Sequence, residues 1–196
     1  MAWELDEDVN KGLSFFSISS DGRVTNWALM KNKLEPEEVM KLKLEVDTSK
    51  ELSESRKENF LYGLAGGMCF DFNPFNKHLF LVGTEEGKIH LCSKAYSGQY
   101  KMTYTGHFLA VYSVKWNKYH PRVFLSCSAD WTIKMWDSDL ERPVIAFDLG
   151  CAAGDVEWAP YSSTVFAAVS SSGHLNVYDV NEDKYNHLCD HQSFKK

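Results

Sequence analysis

Residues 111–137 read VYSVKWNKYHPRVFLSCSADWTIKMWD, and three short strands can be read from them. Val111, Ser113 and Lys115 alternate with Tyr112, Val114 and Trp116. Val123, Phe124 and Leu125 form a more continuous apolar run. After a turn at Ala129-Asp130, Ile133 and Met135 alternate with Thr132, Lys134 and Trp136. Short runs rich in β-branched and aromatic residues, bounded by Asn, Pro, Ser and Asp, predict strands joined by tight turns. One such hairpin decides little, but two other stretches align with it: GMCFDFNPFNKHLFLVGTEEGKIHLCS at 67–93 and GDVEWAPYSSTVFAAVSSSGHLNVYDV at 154–180. Their first aromatic anchors are Phe72, Trp116 and Trp158, spaced by 44 and 42 residues. Their last anchors, Cys92, Trp136 and Tyr178, repeat the same spacings. A partial copy, LSFFSISSDGRVTNW, ends at Trp27. From there to Cys92 is 65 residues, one period plus an insertion.

A weaker fourth strand is expected after each copy, at Val39 to Val46, Tyr100 to Tyr104, Val144 to Phe147 and Lys184 to Cys189. Four antiparallel strands at a fixed period of this length are the signature of a β-propeller blade. The chain is therefore read as all-β. A partial first blade is placed at 1–46, a charged loop at 47–65, blades at 66–105, 106–149 and 150–191, and a tail at 192–196. MAWEL begins where a first strand should already be under way. The expectation is an incomplete propeller, an open arc of three full blades plus one partial.

Composition narrows the class. Hydrophobic residues make up 44% and aromatic residues 14%, which excludes general disorder. The 27 acidic and 21 basic side chains leave a net charge of −6, so a polyanion-binding surface is not expected. No apolar run approaches the roughly 20 residues that span a bilayer, and the acidic amino terminus lacks signal-peptide character. Neither nucleic acid nor membrane is an expected partner. The five cysteines are odd in number and widely spaced, so free thiols are expected instead of a disulfide framework or a CxxC zinc site. The reading is of a soluble intracellular chain.

The third copy carries a more particular pattern. Gly106-His107 precedes its first strand, and Ser126, Asp130 and Trp136-Asp137 follow. In this it resembles the WD-repeat proteins. That resemblance implies a hydrogen-bonded chain through His107, Ser126, Asp130 and Trp136 linking neighbouring strands. The chemistry suits it. An indole N–H needs an acceptor, a hydroxyl accepts and donates, and an imidazole takes one proton while giving the other to a carboxylate. The first copy keeps Ser17, Asp21 and Trp27. The second has Val82, Glu86 and Cys92 at these places, and the fourth has Ala168, Ser172 and Tyr178, so both must rely on packing.

FFSISSDGRVTNW, FLVGTEEGKIHLCSKAYSGQY, LSCSADWTIKMWD and GDVEWAPYSSTVFAAV are similar to the WD-repeat half of axonemal dynein intermediate chains, from about Leu13 onward. What this resemblance implies is a non-catalytic subunit of a ciliary or flagellar motor, found in the cytoplasm and then in the axonemal cytoskeleton. Its implied partners are a dynein heavy chain and a second intermediate chain. Light chains are implied only through a region amino-terminal to the propeller, absent from these residues. No cofactor and no metal are implied.

Sharper readings of single residues compete with this. His107, Ser126 and Asp130 have the composition of a hydrolase triad. Ser126, however, lies within a strand and lacks a Gly-rich elbow. His187, Cys189 and His191 alternate like zinc ligands on one strand face, with no fourth partner in view. Gly83-Thr84-Glu85-Glu86-Gly87 has no Lys-Ser/Thr behind it and reads as a β-turn, not a phosphate cradle. Residues 31–60 hold seven basic and eight acidic side chains, so Asp47 to Asn59 reads as a solvated loop open to partner contact. A WD-repeat adaptor of unrelated pathway is the alternative to the dynein reading.

Overall fold

The computed structural model describes residues 1–4, 13–44, 63–96 and 98–193. Their regular structure is entirely β, in four four-stranded antiparallel sheets. The first sheet comprises β1 (Ala2–Glu4), β2 (Ser14–Ile18), β3 (Arg23–Met30) and β4 (Lys33–Lys41). The second comprises β5 (Gly67–Phe72), β6 (Leu79–Thr84), β7 (Ile89–Ser93) and β8 (Met102–Tyr104). β9 (Val111–Trp116), β10 (Val123–Ser128), β11 (Thr132–Asp137) and β12 (Ile145–Asp148) form the third. β13 (Ala153–Trp158), β14 (Val165–Ser170), β15 (His174–Asp179) and β16 (Cys189–Gln192) form the fourth. Each sheet runs in sequence order, the meander of a WD-repeat blade. The chain divides into two compact units, 1–67 and 68–196.

In the first unit β1 is only three residues long, pairing Ala2 with Phe16 and Glu4 with Ser14. The blade expected to be partial thus has a short first strand. Its fourth strand differs from expectation. The alternation of Met40, Leu42 and Leu44 pointed to Val39–Val46, whereas β4 is Lys33–Lys41. A tight turn, with Lys31 at φ 49°, folds the chain straight back and pairs Met30 with Lys33 and Trp27 with Pro36. A strand with one open edge needs no apolar alternation. It tolerates proline, and its charges discourage pairing with other chains. Leu42 is still buried, its N–H on Gly22 O at 2.7 Å. Val46 and most of the 47–65 loop lie outside the described residues.

The second unit builds its core between sheets. Leu81, Ile89, Tyr104 and Val111 pack with Trp116, Phe124 and Trp136 between the second and third sheets. Leu125, Cys127, Ile133, Phe147, Val156, Trp158, Phe166 and Tyr178 do the same between the third and fourth. Four of the anchors that revealed the repeat, Trp116, Trp136, Trp158 and Tyr178, lie in these layers. Phe124 stands opposite Trp116 and Trp136 and stacks on the Trp136 ring, centroids 5.8 Å apart at 5°. One period later Phe166 stacks on Tyr178 at 4.8 Å and 10°. The last sheet departs from expectation at its edge, for β16 begins where the expected Lys184–Cys189 strand ends. Asp183 accepts the N–H groups of Tyr185 and Asn186, at 2.8 and 3.2 Å, and folds that segment into a turn.

Neighbouring blades approach closely at Gly87, whose φ is 85°. A Cβ there would sit 2.8 Å from His107 O and 2.9 Å from Leu109 O. Gly87→Ala combines a left-handed backbone with a main-chain clash, and is expected to cost about 1–3 kcal/mol in urea unfolding. Gly98→Ala, with open space around it, is expected to leave the midpoint unchanged.

Candidate functional site

The four residues singled out in the third blade come together. The Trp136 indole N–H donates to Ser126 Oγ at 2.8 Å, and Ser126 Oγ lies 2.7 Å from His107 Nε2. His107 Nδ1 is 2.9 Å from Asp130 Oδ2. Asp130 Oδ1 accepts the Thr132 hydroxyl at 2.6 Å, and its other oxygen takes the Phe108 N–H at 3.2 Å. One assignment of protons satisfies the whole chain: Ser126 gives its proton to Nε2, and Nδ1–H donates to Asp130. Burial pushes the His107 pKa down to about 4 against the pull of Asp130, so the imidazole is neutral near pH 7. Burial would raise the Asp130 pKa, but the Thr132 hydroxyl, the His107 ring and the Phe108 amide together hold it at about 2.

The local fold places each member. Ser126 is in β10 and Trp136 in β11, with Phe124 opposite Trp136 in register. Asp130 sits in the turn between these strands, and His107 arrives on the loop from β8, so the chain of bonds ties the preceding blade's exit to this blade's turn. Gly106 lets that loop close down: a Cβ there would be 2.9 Å from Trp136 Cη2. The geometry also has the order of a hydrolytic triad. Ser126 is fully buried, however, and its Oγ is occupied by the indole.

Among the described residues the first blade keeps one link. Trp27 Nε1 donates to Ser17 Oγ at 2.8 Å, whereas Asp21 turns to Arg23, accepting its backbone N–H at 3.3 Å. In the second blade Val82 and Cys92 are buried, as is Ala168 in the fourth. Ser172 lies 3.1 Å from Cys151 Sγ. Cys189 and His191 sit on exposed β16, and His187 meets Tyr178 edge-on at 6.1 Å. No His, Cys, Asp or Glu group able to hold a metal occurs among the described residues. Of residues 83–87, Gly83 and Thr84 end β6 and the rest form the tight turn to β7, with Gly87 N on Thr84 O at 3.2 Å. The five cysteines are unbridged, and burial pushes the Cys69 and Cys127 thiols up to about 12.

Sequence reasoning missed a second set of bonds. Asn73 Oδ1 accepts two N–H groups of its own turn, while Nδ2 donates to Pro121 O in the next blade at 3.2 Å. Asn117, one period on, repeats the arrangement and donates to Ser163 O at 2.8 Å. The signal was an Asn directly after the aromatic anchor in two of the three copies, with Ala159 in the third. Also missed were His90, which stacks on Tyr100 at 3.9 Å and meets Thr103 Oγ1 at 3.0 Å, and Asp71, which accepts Trp116 N–H at 2.8 Å.

Residues 98–137 match the family described as WD domain, G-beta repeat. Along its whole length the chain is 50% identical to the protein named dynein intermediate chain 2, ciliary, of Heliocidaris crassispina, covering 27% of that protein. It is 47% identical, over 99% of its residues, to the 78 kDa intermediate chain of the flagellar outer arm dynein of Chlamydomonas reinhardtii, covering 28% of it. The chain belongs with the WD-repeat axonemal dynein intermediate chains. Against dynein axonemal intermediate chain 1 of Bos taurus the identity is 48% over 95% of the chain, which covers 26% of that relative. The chain thus spans about a quarter of the length of these dynein intermediate chains. The matched repeat has a structural meaning here. It begins before β8 and ends with β11, so it supplies the fourth strand of one blade and the first three of the next.

Proposed function

We propose that these blades are a non-catalytic scaffold within an axonemal dynein intermediate chain, holding a dynein heavy-chain tail beside a second intermediate chain. The setting is the axoneme of a cilium or flagellum, reached from the cytoplasm. The observation that carries this is the 50% identity to a ciliary dynein intermediate chain along the entire chain. An adaptor of unrelated pathway would share the blades, but not a likeness of that extent. The buried Ser126 supports a structural role for His107, Ser126, Asp130 and Trp136, since a nucleophile must reach its substrate. Ser17 and Trp27 are assigned the same role in the first blade.

Co-expression with a heavy-chain tail fragment, followed by size-exclusion chromatography, tests the proposal. Co-elution at defined stoichiometry is expected. Separate elution of a demonstrably folded chain would return weight to the unrelated-adaptor reading.

A further inference from the structure

Four β-turns occupy the same place in the repeat, joining the second and third strands of each blade. In three of them a glycine holds the left-handed position: Gly22 at φ 77°, Gly87 at 85° and Gly173 at 82°. In the third blade the residue is Trp131, at φ 73°. An L side chain is disfavoured in this conformation, and a bulky one especially so. The indole gains only partial burial in return, for Trp131 is 55% exposed. The loop from β8 shows the same substitution pattern. Phe108 and Leu109 are 85% and 52% exposed, where the adjoining copies have Leu64-Ala65 and Gly150-Cys151. These three side chains share one end of the blade, because Asp130, next to Trp131, accepts the Phe108 N–H at 3.2 Å.

The geometry points to Phe108, Leu109 and Trp131 as a docking patch for a basic amphipathic helix of a partner chain. Tryptophan and its apolar neighbours are the residues that anchor interfaces, and the buried His107–Asp130 bond fixes both segments in advance, which limits the ordering cost of binding. A helix is favoured over an added strand because the local main chain is already satisfied. Ser128 Oγ donates to Leu109 O, Ala129 N to Ala110 O and Leu149 N to Trp131 O, at 2.9 to 3.0 Å. A partner must therefore bring its own completed backbone bonds. Its charge follows from the surroundings. Glu85 and Glu86 sit in the turn whose Gly87 abuts the His107–Leu109 backbone, and Asp148 stands opposite Thr132. On these segments the basic residues are Lys88 and Lys134, and the Lys134 ammonium is held on Gly106 O and Asp130, 5.7 Å from the Phe108 ring centroid, so its charge is already partly neutralised. The proposed heavy-chain reading serves only to name which partner carries the helix.

The test uses the full chain, two synthetic helices and the heavy-chain tail fragment. One helix has leucine on one face and lysine on the other; the second replaces lysine by glutamate. Trp131→Gly restores the residue of the other three turns, so its Tm should be unchanged or raised, and Phe108→Ala removes an exposed ring. Each is expected to weaken binding of the lysine helix by about tenfold or more. The glutamate helix should bind wild type about tenfold more weakly than the lysine helix. Tyr161→Ala, at a 79% exposed residue in the turn between β13 and β14, should change nothing. No binding of the lysine helix, or equal binding by wild type and Trp131→Gly, overturns the patch even if the tail fragment binds. If the lysine helix behaves as expected while the tail fragment is insensitive to both substitutions, the patch stands and the heavy-chain tail is not its occupant.

Discussion

Trp136→Ala is expected to lower the unfolding free energy by about 3–5 kcal/mol, a large share of what an ordinary domain possesses. Three losses coincide at this side chain. The indole is 1% exposed, so its removal opens a cavity between two blades. Its faces and edge are in use, stacked on Phe124 and meeting Tyr104 edge-on at 5.8 Å. Its N–H is the donor that begins the chain through Ser126 and His107. Trp136→Phe separates these contributions, because it keeps an aromatic ring and drops the N–H. That variant should cost about 1–2 kcal/mol, the value of one buried hydrogen bond plus incomplete filling. His107→Ala should fall between, at about 1–3 kcal/mol, by leaving Ser126 and Asp130 without their shared partner. Urea unfolding followed by circular dichroism measures all three. Equal midpoints for wild type and Trp136→Ala would refute the assignment of the network to stability.

Acidification should destabilise the protein in a defined window. Burial holds the His107 pKa at about 4 and the His90 pKa at about 3, whereas an unfolded histidine titrates near 6.5. Between these values the unfolded chain binds two more protons than the native one, and stability falls as pH falls. Asp71 opposes this. Its burial raises its pKa to about 6, so from there down to its unfolded value of 3.8 the native state holds the extra proton. From pH 6 to pH 4 the three groups leave a net excess of about one proton on the unfolded chain, worth about 1.4 kcal/mol per pH unit, or about 3 kcal/mol in all. Below 3.8 the loss continues as Asp130, at about 2 in the native state, is titrated. Urea midpoints from pH 8 to pH 4 give the slope. Asp71→Asn removes the opposing group and should steepen it between pH 6 and 4. A midpoint independent of pH over this range would contradict the buried, neutral state of both histidines.

The layer architecture was legible because its signal is periodic. Trp116, Trp136, Trp158 and Tyr178, aromatic anchors of the recurring pattern, are buried in the core layers. His107, Ser126, Asp130 and Trp136 were legible through the resemblance to WD-repeat proteins, with hydrogen-bonding chemistry that suits such a chain. Legibility failed where selection on the side chain is weak. Lys33–Lys41 forms an exposed edge strand whose pairing is set by a two-residue turn, and no face of it must be apolar. Asp21, expected in the network, meets Arg23 within its own turn, a local contact that the motif offsets do not signal. The Asn73 and Asn117 bonds left a trace of only two residues, and an asparagine beside a turn has many uses.

The stagger between repeat and blade has an evolutionary consequence. A duplicated segment with the limits of 98–137 would enter a gene carrying an outer strand for its predecessor and three inner strands awaiting its successor's. Each inserted copy completes the blade before it, and the blade it begins is completed by the copy displaced downstream. Deletion of one copy heals in the same way. Blade number can therefore change by whole units in a single genetic event, with no internal blade left short of a strand. Had the copied unit coincided with a blade, no strand of one copy would complete its neighbour's sheet, and successive blades would be joined by packing and by side-chain bonds such as those of Asn73 and Asn117.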